Sequence, residues 1–450
     1  MRNSRNTGMD STDLHSRDAL AAGLGPTRPT PPVGGSYVGL LLRNADFRRA
    51  YLATLISLAG DWFMLVALYD LVLAQTGSAT LISLVNVCLG LPPLLVTPWA
   101  GSLIDRLDRR RLMVTVDLLR AGLALLPLLV VSPSLLPLAY VAVAGLSAGS
   151  GFFDPAAEAA APNLVAPEDL GRVNALLGSA WGTMLMVGSA LGGLVATYLG
   201  RNAAFALNAL SFLVSALLLL RIKTPFSAER SQSQASSLSL RESLGEALRF
   251  SRKNPQVMAL LFGKGLLGLV LGMTALLSVF GEKVFLRGSE GISKLFVARG
   301  LGALVGPFLL FALVHRPSRR SLMIAPCLMF YSLGYAFLSM SGSLEIALIP
   351  VTIGHMGGGA MWQATTFAIQ QAVPDELRGR LFAFDQAILA IAYSVSTVCV
   401  GMLVDAHGAR PVYFVLALVG AGLGLGLFLA TRRLWLGSDS DRSESGPASW

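Results

Sequence analysis

Apolar runs of about 18 residues or more, the length that a helix needs to cross a hydrocarbon layer of roughly 30 Å, recur from residue 50 to residue 431 and are broken by short polar connections. Twelve spans are predicted, at 50–74, 80–104, 112–132, 135–157, 173–199, 203–220, 257–280, 295–314, 321–341, 346–371, 381–405 and 411–431. This pattern predicts an all-α membrane protein with twelve transmembrane helices.

The one long polar insertion, "RIKTPFSAERSQSQASSLSLRESLGEALRFSRKNP", follows span 6. It begins rich in Ser and Gln and ends in a basic amphipathic stretch over 238–253. It divides the spans six and six, and the two sets echo each other. "GSLIDRLDRRRLM" (101–113) and "FALVHRPSRRSLM" (311–323) share six of thirteen positions at an offset of 210. "APEDLGRVNAL" (166–176) pairs with "VPDELRGRLFAF" (373–384) if one residue is inserted. Both pairs sit at equivalent connections, so two pseudo-symmetric six-helix halves are expected, an architecture of transporters that alternate access around a midplane site. The expected organisation is a disordered cytoplasmic tail over 1–45, one half over 46–222, a cytoplasmic linker with an amphipathic helix over 223–255, the second half over 256–431 and a cytoplasmic tail over 432–450.

Composition agrees with this pattern. The 450 residues are 54% hydrophobic and only 14% charged, and the mean hydropathy is +0.63, which excludes an ordinary soluble domain. The net charge of +9 would suit nucleic acid, but its distribution points elsewhere. With the N-terminus inside, Lys and Arg on the outer connections are limited to Arg201, Lys283, Arg287, Lys294 and Arg410, and three more lie within spans: Arg120, Lys264 and Arg299. The others fall on tails and inner connections, so the basic charge is an orientation signal that puts both termini in the cytoplasm. Residues 1–40 lack the apolar stretch of a secretory signal. Cys88, Cys327 and Cys399 each fall in an apolar run without metal-ligand spacing, which suits packing residues.

Six charges crowd into seven positions from Asp105 to Arg111. Gly101, Leu103, Asp105, Arg106, Arg109 and Arg110 resemble the signature between helices 2 and 3 of the major facilitator superfamily, with Asp108 where the general pattern has Gly. Together with "VDLLRAG" (116–122), "SLAGDWFMLVALYDLVLAQTGSAT" (57–80), "FFDPAAEAAAPNLV" (152–165) and "VPDELRGRLFA" (373–383), the pattern is similar to the drug:proton antiporter branch that includes macrolide efflux proteins and the enterobactin exporter. "GSALGG" (188–193) resembles the antiporter motif of drug exporters but has Ser189 in place of Pro. The resemblance implies a cytoplasmic gate. Gly101 would let span 2 approach span 11, with Asp105 facing the N-terminus of span 11 near Arg378, Gly379 and Arg380. Arg106, Arg109 and Arg110 would reach Asp154, Glu158 or Asp385, and Asp117 and Arg120, three apart on span 3, would join this network.

Charges inside spans cost about 2.5–3.5 kcal/mol at the helix centre and usually face a cavity or a partner. Asp61 lies on a polar stripe with Thr54 and Ser57, and a desolvated carboxylate is suited to carrying a proton. Lys264 suits an acidic partner, an anionic substrate or snorkelling to headgroups; Arg299 suits a structural role near the outer surface. On span 10, Thr352, His355, Trp362, Gln363, Thr366 and Gln370 share a polar and aromatic face suited to lining a drug-accepting cavity, and Trp62 and Trp181 add apolar area. Asp61, Trp62, Lys264, Arg299, His355, Trp362 and Gln363 are the candidates for proton coupling or the substrate cavity. The resulting expectation is a secondary transporter of the bacterial cytoplasmic membrane. It would export amphipathic small molecules, such as macrolides or a siderophore, by proton antiport as a monomer, with no cofactor beyond the proton gradient, no metal and no nucleic-acid partner. No catalytic triad, nucleotide loop or metal-ligand pair is discernible, so an enzyme is not expected. Uptake or lipid movement by the same fold, or a membrane sensor, are the alternatives.

Orientation is testable directly. Single cysteines at Ser134 and Ser343 are expected to react with an impermeant thiol reagent from outside intact cells, and one at Ser236 only after the membrane is opened. Labelling of position 236 in intact cells would overturn the assignment.

Overall fold

The computed structural model describes residues 36–226, 240–314 and 317–444. The expected tail over residues 1–35 and the Ser/Gln-rich start of the linker over 227–239 lie outside the described residues. Twelve helices match the predicted spans: α1 (Ala45–Thr76), α2 (Ala79–Arg106), α3 (Arg109–Leu123), α4 (Leu136–Leu164), α5 (Leu170–Tyr198), α6 (Arg201–Leu220), α7 (Pro255–Ala275), α8 (Gly288–Leu313), α9 (Ile324–Met340), α10 (Leu344–Ala372), α11 (Asp375–His407) and α12 (Ala409–Glu444). Eleven are long and apolar enough to cross a membrane, and α9 is the shorter twelfth.

The helix ends depart from the apolar runs in both directions: α3 stops at Leu123, α12 runs on to Glu444 through much of the stretch expected as a tail, and side-chain caps fix some of the starts. Asn44 accepts a hydrogen bond from the Phe47 N–H at 2.9 Å and starts α1, and Asp108 accepts from the Arg111 N–H at 2.9 Å and starts α3. Between α1 and α2, Gly77 takes a left-handed conformation (φ 63°), and its N–H closes the last turn of α1 onto the Leu73 carbonyl at 2.8 Å. Residues 37–43, inside the stretch expected as a tail, form a short helix (Tyr37–Arg43). The basic amphipathic stretch of the linker is helical over Leu240–Lys253.

Helices α1–α6 pack on one another, as do α7–α12, and the two sets meet mainly along α2 against α11 and α5 against α8. Chain direction gives the bundle two ends: a signature end, where α2 passes into α3 at residues 107–108, and a far end, where α1 passes into α2. Close contacts between the sets are plain towards the far end. There the Ser83 hydroxyl donates to the Thr397 carbonyl at 2.7 Å, and the Ser293 hydroxyl on α8 donates to the Ser189 carbonyl on α5 at 2.7 Å. Towards the signature end, Gly101 on α2 and Gly379 on α11 are exposed, with nothing within 4 Å of where a Cβ would stand on either. The halves are therefore zipped at one end and parted at the other.

Gly401 sets how closely the zip can close. A Cβ there would stand 2.9 Å from the Thr80 Cα and 3.0 Å from the Ala79 carbonyl oxygen, distances that only backbone movement could relieve. Gly401→Leu is expected to prevent the far end from closing, read as a rise in thiol labelling of a cysteine at Ser83. Unchanged labelling in that variant would show that α11 can shift without cost.

Candidate functional site

The strongest concentration of polar chemistry within the membrane-spanning part surrounds Arg120. Its guanidinium, 3% exposed, lies 2.7 Å from the Asp61 carboxylate, which is 31% exposed, and 3.7 Å from the buried Asp117. It also donates to the Ser57 hydroxyl at 3.2 Å and the Ser150 hydroxyl at 3.1 Å, and its Cζ sits 4.2 Å from the centroid of the Phe212 ring. The Ser215 hydroxyl donates to Asp117 at 2.6 Å. Four helices thus supply partners to one cation: α1 through Ser57 and Asp61, α3 through Asp117, α4 through Ser150, and α6 through Phe212. Of the polar stripe expected on α1, Ser57 and Asp61 both face Arg120; Thr54 instead bonds its own helix at the Ala50 carbonyl.

Asp154 and Glu158, one and two turns beyond Ser150 on α4, are exposed and run from the Arg120 cluster towards the parted end. Trp62, next to Asp61, is buried edge-on against Trp181 with centroids 6.1 Å apart, and lies 6.3 Å from Phe296 of α8.

A second charge pair sits in the other half. Lys264 on α7 is 0% exposed, so it does not snorkel. Its ammonium lies 3.3 Å from Asp385 of α11 and 4.1 Å from the centroid of the Trp362 ring on α10. Asp385, expected at the gate, is thereby buried in an intrahelical-bundle pair. Trp362 faces Lys264, while Gln363 beside it is exposed. His355 lines no open surface: it is buried, its Nε2 is 2.8 Å from the Tyr335 hydroxyl, and Tyr331 stands edge-on to its ring at 5.1 Å. Tyr335 in turn donates to Thr274 at 2.8 Å. Arg299 is half-buried with its Cζ 5.5 Å from the Phe296 ring centroid, a packing contact in keeping with a structural role.

At the signature end Arg109 and Arg110 have partners other than the expected acids. Arg109 donates to the Ala159 carbonyl at 2.7 Å and the Phe226 carbonyl at 3.3 Å. Arg110 donates to the Thr224 carbonyl at 2.9 Å and stacks over Phe226 at 5.3 Å. They clasp the start of the linker rather than Asp154, Glu158 or Asp385. Arg380 pairs with Glu246 of the linker helix, Arg378 donates to the Val373 carbonyl at 3.3 Å, and Arg106 is exposed. The side chain of Asp105 lies outside the described residues. These positions belong to a bundle whose signature end is parted. Sequence reasoning missed the linker carbonyls and Glu246, for which no local signal exists, and missed Ser150, Ser215, Tyr331, Tyr335 and Thr274, whose polar atoms in apolar runs were the available signal.

Residues 50–388 match the model of the Major Facilitator Superfamily. The chain belongs to this superfamily. Its similarity to relatives covers most of its length: it is 28% identical over 345 residues to a Bacillus subtilis protein that bears the name bacilysin exporter BacE, covering 76% of this chain and 82% of that one. It is 28% identical over 389 residues to the multidrug efflux pump Tap of Mycolicibacterium fortuitum, covering 83% and 92%. Among solved structures, a bacterial homologue of the human lysosomal transporter Spinster, inward-facing and unoccupied, superposes with a TM-score of 0.68 at 14% identity, covering 86% of this chain and 98% of that one. The superfamily member described here is a multi-pass membrane transporter and not an enzyme.

The Lys264–Asp385 pair yields a stability prediction. Asp385→Ala leaves a buried ammonium without a counter-charge and is expected to cost about 3–5 kcal/mol, whereas Lys264→Met with Asp385→Leu removes both charges and restores stability. Thermal unfolding in detergent measures both. A double variant no more stable than Asp385→Ala would show that the cost lies in packing instead.

Proposed function

We propose that this transporter exports amphipathic small molecules, drug-like compounds or a siderophore, in exchange for protons by alternating access. It works as a monomer in a bacterial cytoplasmic membrane, with both termini and the signature end in the cytoplasm. Export is supported by the relatives named for it, one for bacilysin and one for multiple drugs. The observation that carries the proton is the carboxylate surplus around Arg120. Asp61 and Asp117 share one guanidinium, and Asp154 and Glu158 continue the acidic line along α4 to the parted end. Full ionisation would leave several uncompensated negative charges in and beside a low-dielectric bundle, so a proton is cheaply held there. Successive acids four residues apart are about 6 Å apart along the helix, a separation that one water can bridge. Asp61, partly exposed and bonded to Arg120, is the group through which proton binding alters the contacts of four helices. The orientation rests on the Lys and Arg distribution, and the driving force is the proton gradient.

The same reading gives the signature residues their task. When that end closes, the bare faces of Gly101 and Gly379 let α2 and α11 approach, Arg109 and Arg110 leave the linker carbonyls, and Asp105, Arg106, Arg378 and Arg380 serve as contacts between the halves.

Energised everted vesicles offered macrolides, cationic dyes and catecholate siderophores are expected to accumulate at least one class and to lose it when a protonophore collapses the gradient. Accumulation insensitive to the protonophore would contradict proton antiport. Gly101→Leu is expected to lower that transport about tenfold or more at unchanged membrane abundance, because ~1.4 kcal/mol suffices to move a two-state equilibrium tenfold. Full activity in that variant would show that α2 and α11 need no close approach at the signature end.

A further inference from the structure

Asp405, near the last turn of α11, lies against the first turn of α2 in the other half. One carboxylate oxygen accepts the Ala79 N–H at 2.7 Å; the other accepts the Thr80 N–H at 2.9 Å, the Thr80 hydroxyl at 2.7 Å and the Ser78 hydroxyl at 2.7 Å. The third free N–H of the α2 terminus, that of Leu81, goes to the Ser78 hydroxyl at 3.3 Å. A carboxylate from one half therefore caps a helix of the other, and it meets both the N–H groups left unpaired at a helix start and the positive end of the helix dipole.

Below this cap a line of contacts follows one stripe of α2. Ser83 donates to the Thr397 carbonyl at 2.7 Å, and Asn86 accepts from Tyr393 at 3.0 Å and from Tyr69 at 2.7 Å. A Cβ on Gly90 would stand 3.7 Å from the Ser394 hydroxyl. Lys283, from the turn between α7 and α8, adds a bond to the Gly77 carbonyl. Further along the same stripe, Thr97 and Gly101 are exposed.

We propose that Asp405 is the latch of the far gate: its bonds to Ser78, Ala79 and Thr80 hold the halves together at that end and must break for the far end to open. Opening replaces an ion capped by four donors with a solvated carboxylate and a solvated helix start, so the latch biases the protein towards the state open at the signature end. It uses the helix pair assigned above to the signature gate, with the roles exchanged. There a carboxylate of α2 is expected at the start of α11; here a carboxylate of α11 sits at the start of α2. The proposal rests on the alternating-access reading, but not on substrate, direction or proton coupling.

The test uses full-length protein in nanodiscs, with both ends accessible and with Cys88, Cys327 and Cys399 replaced. An impermeant maleimide reports on single cysteines at Ser83, inside the zipped stretch, and at Thr97, on the parted stretch of the same stripe. Asp405→Ala is expected to speed labelling at Ser83 about tenfold or more, a ratio that corresponds to loss of a single hydrogen bond to a charged group, and to slow labelling at Thr97 as the population moves to the other state. Asp405→Glu should stay near the parent at both positions. Unchanged labelling at Ser83 overturns the latch. A rise at Ser83 with no change at Thr97 overturns it equally, because the contact would then only tie down a helix end. Correct opposite shifts in a protein that moves no substrate would leave the latch standing and remove the transport reading alone.

Discussion

A guanidinium held out of water inside a helix bundle cannot stay unpaired, and Arg120 organises its half of the protein around that constraint. Moving an isolated charge from water into such a setting costs several kcal/mol even after relaxation, so Arg120 gathers Asp61, Asp117, Ser57, Ser150 and the face of Phe212. These groups come from α1, α3, α4 and α6, and their bonds fix how those helices sit. Any change in the charge of Asp61 is therefore felt by four helices at once. The other half has its own smaller version in Lys264, Asp385 and Trp362, where one acid balances one base. The two clusters differ in this respect: the one around Arg120 carries surplus carboxylate, and the Lys264–Asp385 pair is balanced.

That asymmetry acts on a bundle with few ties between halves. α2 meets α11 and α5 meets α8 at the far end through small residues and single hydrogen bonds, while Gly101 and Gly379 at the other end face open space. A handful of polar contacts can be exchanged for a comparable handful at the other end without a large net change in free energy, which is the condition for two states to be populated. At the parted end the signature arginines are occupied with the linker, so closing that end requires them to leave the carbonyls of Thr224 and Phe226. Under the proposed gating, the linker is coupled to the gate rather than being only a tether.

Much of the fold was legible. Apolar run length gives the twelve helices, and the polar insertion with the echo at offset 210 gives their division into two sets. Within a helix, period 3.6 correctly joined Asp117 to Arg120 and placed Ser57 and Asp61 on one face. What period cannot give is the neighbour of that face: nothing in the local sequence ties Asp61 to Arg120, 59 positions away, or Lys264 to Asp385. The polar face read on α10 failed in part for the same reason. His355 and Trp362 share a side of the helix, yet Tyr331 and Tyr335 of α9 enclose the first while α7 presents Lys264 to the second. Asp405 drew no attention because an acid at a span end looks like ordinary surface charge until the helix start it caps is placed beside it.

The claim on which this account rests is that Asp61 couples proton binding to movement, and substrate exchange separates coupling from transport. In Asp61→Asn, whose side chain keeps its shape and cannot titrate, counterflow of a transported compound between equal pH compartments is expected to persist, while efflux driven by a proton gradient falls to the background of empty vesicles. Gradient-driven efflux at the parent rate, at matched abundance, would contradict the account and leave Asp61 as only a structural partner of Arg120.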